Sequence, residues 1–149
     1  NGVWSGTSTD GVGFVAACQH IGIEPKGSIL RMRGGGSAAR AIAAAWAAEG
    51  GSIIPVEGRR SLVSGPWDSA IVSQGEADLA IDLDAAAGGG ESADLSAKQQ
   101  VSISYGEDAT ADDFAVIMVA AQHLEAWKRL FAPENSDDIP NLDEVLDKL

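Results

Sequence analysis

One short unit constrains this chain more than any other: a run of three glycines between a strand-like segment and a helix-like segment. Residues 28–33 form a short segment, with apolar side chains at Ile29, Leu30 and Met32, that is typical of a strand. Residues 37–49 are rich in alanine and have helical spacing. Gly50 and Gly51 end that helix pattern. A strand, a tight turn and a helix in this order predict the start of a βαβ unit.

The glycine run fits the pattern G-x-G-x-x-G/A, with Gly34, Gly36 and Ala39 at the three special positions. The first glycine permits a tight turn, the second lets a pyrophosphate approach the backbone, and the small third residue lets the helix pack closely on the strand. The helix N-terminus then offers free N–H groups to an anion. We therefore predict a dinucleotide site whose contacts are Gly34, Gly35, Gly36, Ser37 and Ala38. A plain glycine turn in an α/β domain is the alternative.

The end of the next predicted strand, residues 52–57, bears on which dinucleotide would bind. An acidic residue there would bind a ribose 2′-hydroxyl, as for NAD, whereas arginine would bind the 2′-phosphate of NADP. The sequence offers Glu57 and then Arg59 and Arg60. Two adjacent guanidinium groups favour a phosphate, so we predict NADP over NAD; the alternative is that both arginines are solvated loop residues. Pro55 predicts that this strand lies at a sheet edge or contains a bulge.

The remaining pattern alternates helices with strands, which predicts a parallel sheet with helices on both faces. We expect a single Rossmann-like, three-layer α/β domain over residues 1–149. Thr9 and Asp10 are suited to cap the first helix. The predicted elements are helices at 11–21, 67–74 and 110–131, strands at 78–83 and 101–105, a linker at 133–140 and a terminal helix at 141–149.

Charge and composition exclude several classes of function. The net charge of −12 would repel a nucleic acid, although five arginines between residues 31 and 60 leave room for a small-anion site. Residues 41–48, the longest apolar stretch, are too short to span a bilayer, and no signal peptide is visible. A single cysteine, Cys18, excludes an internal disulfide and favours a cytoplasmic setting. Four acidic residues could suggest a metal site, but their spacing is unlike that of an EF-hand loop, so we predict no metal: Asp82, Asp84, Glu91 and Asp94.

Three segments together resemble the shikimate dehydrogenase family. Residues 6–14 (GTSTDGVGF) are similar to the family's G-x-N-T-D-G-x-G-F segment, and residues 34–40 (GGGSAAR) to its G-A-G-G-A-A/S-R loop. Residues 58–60 (GRR) stand where the family has its N-R-T clamp for the NADP 2′-phosphate. The helix containing Trp127 resembles the family's penultimate helix. The resemblance covers residues 1–60 well and fades afterwards.

The resemblance implies a fragment of a two-domain cytoplasmic enzyme of aromatic amino acid biosynthesis. An absent N-terminal domain would carry a catalytic lysine and share the shikimate-like substrate, while this chain would bind NADP. Asp10 would be the catalytic aspartate beside that lysine, holding a substrate hydroxyl. The reaction would be reversible hydride transfer between NADPH and the carbonyl of 3-dehydroshikimate. The chain alone would then be inactive, and its oligomeric state is left open.

Several positions depart from the family pattern. Arg31 and Arg33 replace apolar residues in a strand expected to be buried, and Arg33 could reach a phosphate or clash with the adenine side of the site. Asp82-Leu83-Asp84 replaces the family's N-A-T and would place negative charge near the nicotinamide. The family's substrate glutamine falls at Val119, with Gln122 one turn further on. These changes leave two alternatives: a drifted, non-catalytic module that binds nucleotides or proteins, or an NAD-dependent quinate/shikimate-type dehydrogenase.

Overall fold

A four-stranded parallel sheet organises the computed structural model, which describes residues 6–84, 95–102, 113–131 and 141–148. Its strands are β1 (Ile29–Arg33), β2 (Ser52–Val56), β3 (Leu79–Asp82) and β4 (Gln100–Val101). They lie in the order β2-β1-β3-β4. The chain therefore moves one way from β1 to β2 and the other way from β1 to β3, which makes the carboxyl ends of β1 and β3 the switch point of the sheet.

β1 is hydrogen-bonded on both sides, and its register fixes which side chains are neighbours. Leu30 lies opposite Ile53 of β2 and Leu79 of β3, and all three are fully buried. At the carboxyl end, Arg33 lies opposite Asp82. Because side chains alternate along a strand, Arg33 faces away from the layer that buries Leu30.

Helices cover the face of β1 that carries its fully buried leucine and methionine. These helices are α1 (Gly6–His20), α2 (Ser37–Ala48), α3 (Phe114–Phe131) and α4 (Leu142–Leu146). α1 packs against both α2 and α3, and α4 packs on α3. The aromatic contacts between them are edge-to-face: the centre of the Phe14 ring lies 6.0 Å from that of Trp46 and 5.6 Å from that of Phe114.

The second face of the sheet is covered by the segment between β2 and β3. Right-handed connections place this segment on the face of the sheet opposite to α2. The reason is that the chain crosses the sheet in one direction from β1 to β2 and in the other direction from β2 to β3. Two hydrogen bonds from β1 agree with that placement: the Arg31 Nη2 donates to the Gly75 carbonyl at 3.5 Å, and the Arg33 Nε donates to the Glu57 carbonyl at 3.3 Å.

The helix predicted over residues 67–74 is wrong. The segment has one 3₁₀ turn, Asp68–Ala70. The Asp68 carboxylate accepts a hydrogen bond from the Gly65 N–H at 2.9 Å. Beyond that turn, the Val72 N–H donates to the Ile53 carbonyl at 2.9 Å, which draws the chain into extended contact with the outer edge of β2. Tertiary contact therefore overrides the local helical pattern.

The structure confirms the α/β Rossmann-like class, and β2, which contains Pro55, lies at an edge of the described sheet. The expected N-cap is wrong, because α1 begins at Gly6 and Asp10 lies inside the helix.

The predicted helices at 37–49 and 110–131 correspond to α2 (Ser37–Ala48) and to α3 (Phe114–Phe131). The 133–140 linker and residues 103–105 of the predicted fourth strand lie outside the described residues. Across the described part of the chain, every helix is too short or too polar to cross a membrane.

α1 and α2 approach each other closely because Gly11 has no side chain. A Cβ added at Gly11 would overlap the Ala41 carbonyl of α2, which is backbone and cannot rotate away. It would also lie 2.9 Å from the Ala45 Cβ. The glycine therefore sets the distance between the helix that carries Asp10 and the helix that follows the glycine run.

We predict that Gly11→Ala destabilises the protein, although alanine is the better helix former by about 1 kcal/mol. Overpacking against the α2 backbone should lower the free energy of unfolding by about 1–3 kcal/mol. Urea denaturation followed by circular dichroism measures the change. A variant more stable than the wild type would mean that helix propensity decides at this position and that the close approach is wrong.

Candidate functional site

A cavity of about 470 Å³ lies at the carboxyl ends of the strands, where the sheet switches direction. Its volume is within the range of about 300–1,000 Å³ that is usual for small-molecule sites. Crevices at this position bind ligands in open α/β sheets. The residues that line it are Gly34, Gly36, Ser37, Ala38, Ala39, Arg59, Arg60, Leu83 and Asp84.

The glycine loop meets the geometric requirements that its spacing predicts. Gly34 has φ of +115°, a conformation that other residues rarely adopt. A Cβ at Gly36 would meet no atom within 4 Å, so this backbone faces open space in the cavity. Ala39 is only 1% exposed, which brings α2 close to the sheet. The loop therefore has a tight turn, an accessible backbone and a closely packed helix in the predicted order.

Gly35 packs against the segment that follows β2. It is buried and does not line the cavity, and a Cβ there would overlap the backbone of Ser61 and lie 2.7 Å from the Leu62 nitrogen. Gly35 thus allows the segment after β2 to lie directly on the glycine loop. This contact sets the distance between the loop and the nearby arginines.

The N-terminus of α2 opens into the cavity. Gly36 is its N-cap, and no side chain caps this end. The Arg40 N–H makes the first intrahelical hydrogen bond, to the Gly36 carbonyl at 3.0 Å. Uncapped N–H groups and the positive end of the helix dipole attract an anion at such a position.

Positive charge comes from the segment that follows β2. Arg59 and Arg60 are exposed and line the cavity, whereas the side chain of Glu57 is exposed and is not among the lining residues. The acidic residue that could bind a ribose hydroxyl therefore lies outside the cavity. The two guanidinium groups are in a position to contact a phosphate.

Asp84 contributes to the cavity in a way that the sequence did not predict. Its carboxylate accepts a hydrogen bond from the backbone N–H of Arg59. The side chain passes over two glycines: a Cβ at Gly58 would overlap the carboxylate, and one at Gly34 would lie 3.2 Å from its Oδ1. Asp84 therefore crosses the end of β1 and joins β3 to the segment after β2.

Arg33 is not among the residues that line the cavity. Its Nη1 donates to both carboxylate oxygens of Asp82, at 3.2 and 3.0 Å. The Asp82 side chain is 0% exposed, while that of Arg33 is 30% exposed. The negative charge expected from Asp82 beside a cofactor is therefore balanced within the sheet, and only Asp84 of the two carboxylates lines the cavity. The signal that could have predicted this pair is the register of β1 and β3.

Asp10 lies where α1 packs against α3, and it is not among the residues that line the cavity. Its Oδ1 accepts a hydrogen bond from the Gln122 Nε2 at 2.6 Å. Burial raises the pKa of Asp10, and the hydrogen bond from Gln122 opposes part of that shift. The glutamine that faces Asp10 is thus Gln122, one turn beyond Val119.

The structure brings six of the predicted cofactor contacts to one cavity: Gly34, Gly36, Ser37, Ala38, Arg59 and Arg60. Gly35 and Asp10 lie outside it, and whether any of these residues binds a cofactor or substrate stays a prediction. Among residues 6–84, 95–102, 113–131 and 141–148, no group of three or more His, Cys, Asp or Glu side chains could hold a metal. Glu91 and Asp94, two of the four acidic residues at which the sequence predicts no metal site, lie outside the described residues.

The fold and the cavity define an α/β domain with a glycine loop of the dinucleotide-binding type. The chain is 41% identical over 54 residues to a shikimate dehydrogenase (NADP(+)) from Rubrobacter xylanophilus. The match covers 36% of this chain and 19% of that protein, so the chain corresponds to a small part of its relative. No protein-family model matches the chain.

We predict that the pH dependence of stability reports on the Asp10–Gln122 contact. Because burial raises the pKa of Asp10, the folded state holds this proton more tightly than the unfolded state, so stability from this group falls as pH rises through the raised pKa. Asp10→Asn keeps an oxygen acceptor for Gln122 and cannot titrate. Its stability relative to the wild type should therefore increase as the pH rises above the ordinary carboxyl pKa of about 4.

Urea denaturation at each pH measures this difference, and Gln122→Ala is the matched comparison. Removing the donor leaves the carboxylate less well satisfied, so we expect a loss of about 1–3 kcal/mol at neutral pH. A stability difference between Asp10→Asn and wild type that does not change with pH would show that partial burial does not raise the pKa of Asp10.

We predict that Arg33→Leu lowers the free energy of unfolding by about 3 kcal/mol or more, because Asp82 stays buried without its guanidinium. Replacing both residues, in Arg33→Leu/Asp82→Leu, should recover most of that loss, since the buried charge is then absent. Thermal and urea unfolding of the single and double variants measure the coupling. Additive losses would contradict a direct charge pair.

Proposed function

We propose that this chain is the NADP-binding part of a shikimate dehydrogenase-like oxidoreductase. The observation that carries the proposal is the cavity in which Gly36 and the uncapped N-terminus of α2 lie together with Arg59 and Arg60. The partial similarity to a protein named shikimate dehydrogenase (NADP(+)) agrees with it. The single-domain arrangement over residues 1–149 belongs to the same proposal.

The residues present fit a phosphorylated dinucleotide. The open space beside Gly36 lets a diphosphate approach the backbone, and the helix N-terminus stabilises its charge. Arg59 and Arg60 lie on the β2 side of the cavity, where a 2′-phosphate would be held by guanidinium groups. Since Glu57 is not among the lining residues, the arrangement favours NADP over NAD. When bound, the cofactor would supply the hydride.

Asp10 is the proposed substrate-side residue. Its carboxyl group has a raised pKa and one amide donor, Gln122. A carboxyl group that is partly desolvated can hold a substrate hydroxyl and exchange a proton with it more readily than a solvated one. We propose that the substrate is shikimate-like, and that a separate domain carrying a lysine completes this site.

A second candidate is a nucleotide-binding module without turnover. The Asp-Leu-Asp sequence at the end of β3 favours it, because Asp82 is paired with Arg33 and Asp84 with the Arg59 backbone. Both candidates bind NADP, but only the oxidoreductase transfers a hydride. An assay of NADPH oxidation with 3-dehydroshikimate, using a protein that also carries the lysine-containing domain, separates them.

Isothermal titration of the chain with NADP⁺ and NAD⁺ tests the proposed function. We expect NADP⁺ to bind more tightly, and we expect Arg59→Ala/Arg60→Ala to remove that preference. The loss for NADP⁺ should be about tenfold to a hundredfold, because charge-assisted hydrogen bonds contribute about 1.5–3 kcal/mol. NAD⁺ binding should change by less than about threefold, since it lacks the 2′-phosphate.

Lys26→Ala is the control for general loss of positive charge, because Lys26 is exposed and is not among the residues that line this cavity. It should leave the ratio of the two affinities unchanged. Absence of binding by either nucleotide at high concentration would refute the proposal, and equal losses for both nucleotides would refute the NADP assignment.

A further inference from the structure

The segment after β2 is held at two backbone positions, one on either side of Gly58. On one side, the Glu57 carbonyl accepts a hydrogen bond from Arg33 of β1, whose guanidinium also binds the buried Asp82 of β3. On the other side, the Arg59 N–H donates to Asp84, which follows β3. Asp84 directly, and Asp82 through Arg33, thus hold the backbone that leads into the arginine pair.

We propose that Asp84 is a positioning residue: it fixes the backbone at Arg59 so that the Arg59 and Arg60 side chains stay beside the cavity. This inference rests on the proposed function, because the arginines are the proposed 2′-phosphate contacts. Asp84 touches no phosphate in this assignment. It sets the preference for a 2′-phosphorylated dinucleotide through the loop that it holds.

Geometry supports this role better than a role as a repelling charge in the cavity. The carboxylate is aimed at the Arg59 N–H, and its path requires that Gly58 and Gly34 have no side chains. At Gly58, the atoms that a Cβ would meet within 4 Å include all three of the Asp84 carboxyl group. A charge that merely faced the cavity would not need so close a fit to two backbones.

Balance of charge in the cavity agrees with the same role. Asp82 is paired with Arg33 and has no exposed side-chain surface, so it adds little field to the cavity. Asp84 adds one negative charge beside the two positive charges of Arg59 and Arg60. The lining therefore keeps a net positive charge, to which the N-terminus of α2 adds its partial charge.

Three variants test the proposal by titration with NADP⁺ and NAD⁺. Asp84→Ala removes the acceptor, and we expect about a tenfold loss for NADP⁺ with a smaller loss for NAD⁺. Asp84→Asn keeps an oxygen acceptor without the charge, so binding of NADP⁺ should stay within about threefold of the wild type. Glu76→Ala, which removes one exposed charge outside the cavity, should change neither affinity.

Gly58→Ala provides an independent test of the geometry. The added methyl group would displace the Asp84 carboxylate from the Arg59 N–H, so this variant should reproduce the effect of Asp84→Ala. In the Asp84→Ala background the overlap is gone, and Gly58→Ala should add almost nothing. Additive losses in the double variant would overturn the proposal.

Hydrogen exchange in the ligand-free protein separates failure of this inference from failure of the proposed function. The Arg59 amide should exchange faster in Asp84→Ala and in Gly58→Ala, and near the wild-type rate in Asp84→Asn. If the wild type binds neither nucleotide, the proposed function and the role in dinucleotide preference both fail, while the exchange rates still decide whether Asp84 holds the loop. Tighter NADP⁺ binding by both Asp84→Asn and Asp84→Ala, or unchanged exchange, would overturn the positioning role.

Discussion

The hydrogen bonding of β1 to a strand on each side is the constraint on which the rest of the structure depends. Because β2 lies on one side and β3 on the other, the segments that leave these strands diverge at the carboxyl edge and leave a crevice above β1. The glycine loop lies at the floor of that crevice, and the arginines and Asp84 come from its two sides. A different strand order would separate these groups.

The second face of the sheet explains why charged residues are compatible with the centre of a parallel sheet. Parallel strands are usually buried on both faces by helices. In this chain the segment between β2 and β3 supplies backbone carbonyls on that face. Arg31 and Arg33 are half-buried there and donate to those carbonyls, and Asp82 balances Arg33. The polar cover and the charged strand face are therefore matched to each other.

The sequence was sufficient for features that depend on local pattern and insufficient for those that depend on strand order. The spacing of Gly34 and Gly36 predicted the loop, and helical periodicity predicted α1 and α2, because both depend on neighbouring residues. The Arg33–Asp82 pair joins residues 49 positions apart, and it follows only from the register of β1 and β3. Asp84 crosses β1 to reach Arg59, which no linear spacing reveals. The helix predicted at 67–74 failed because contact with β2 outweighed local propensity.

The contact between Gly35 and the Ser61–Leu62 backbone has a consequence for the kinetics of recognition. Two backbones in direct contact cannot approach further, so the glycine loop and the arginine segment cannot close on a ligand by moving toward each other. A site built in this way loses little conformational entropy on binding. Association would then be governed by diffusion into the crevice and by attraction to its positive charge, without a slow closing step of these two segments.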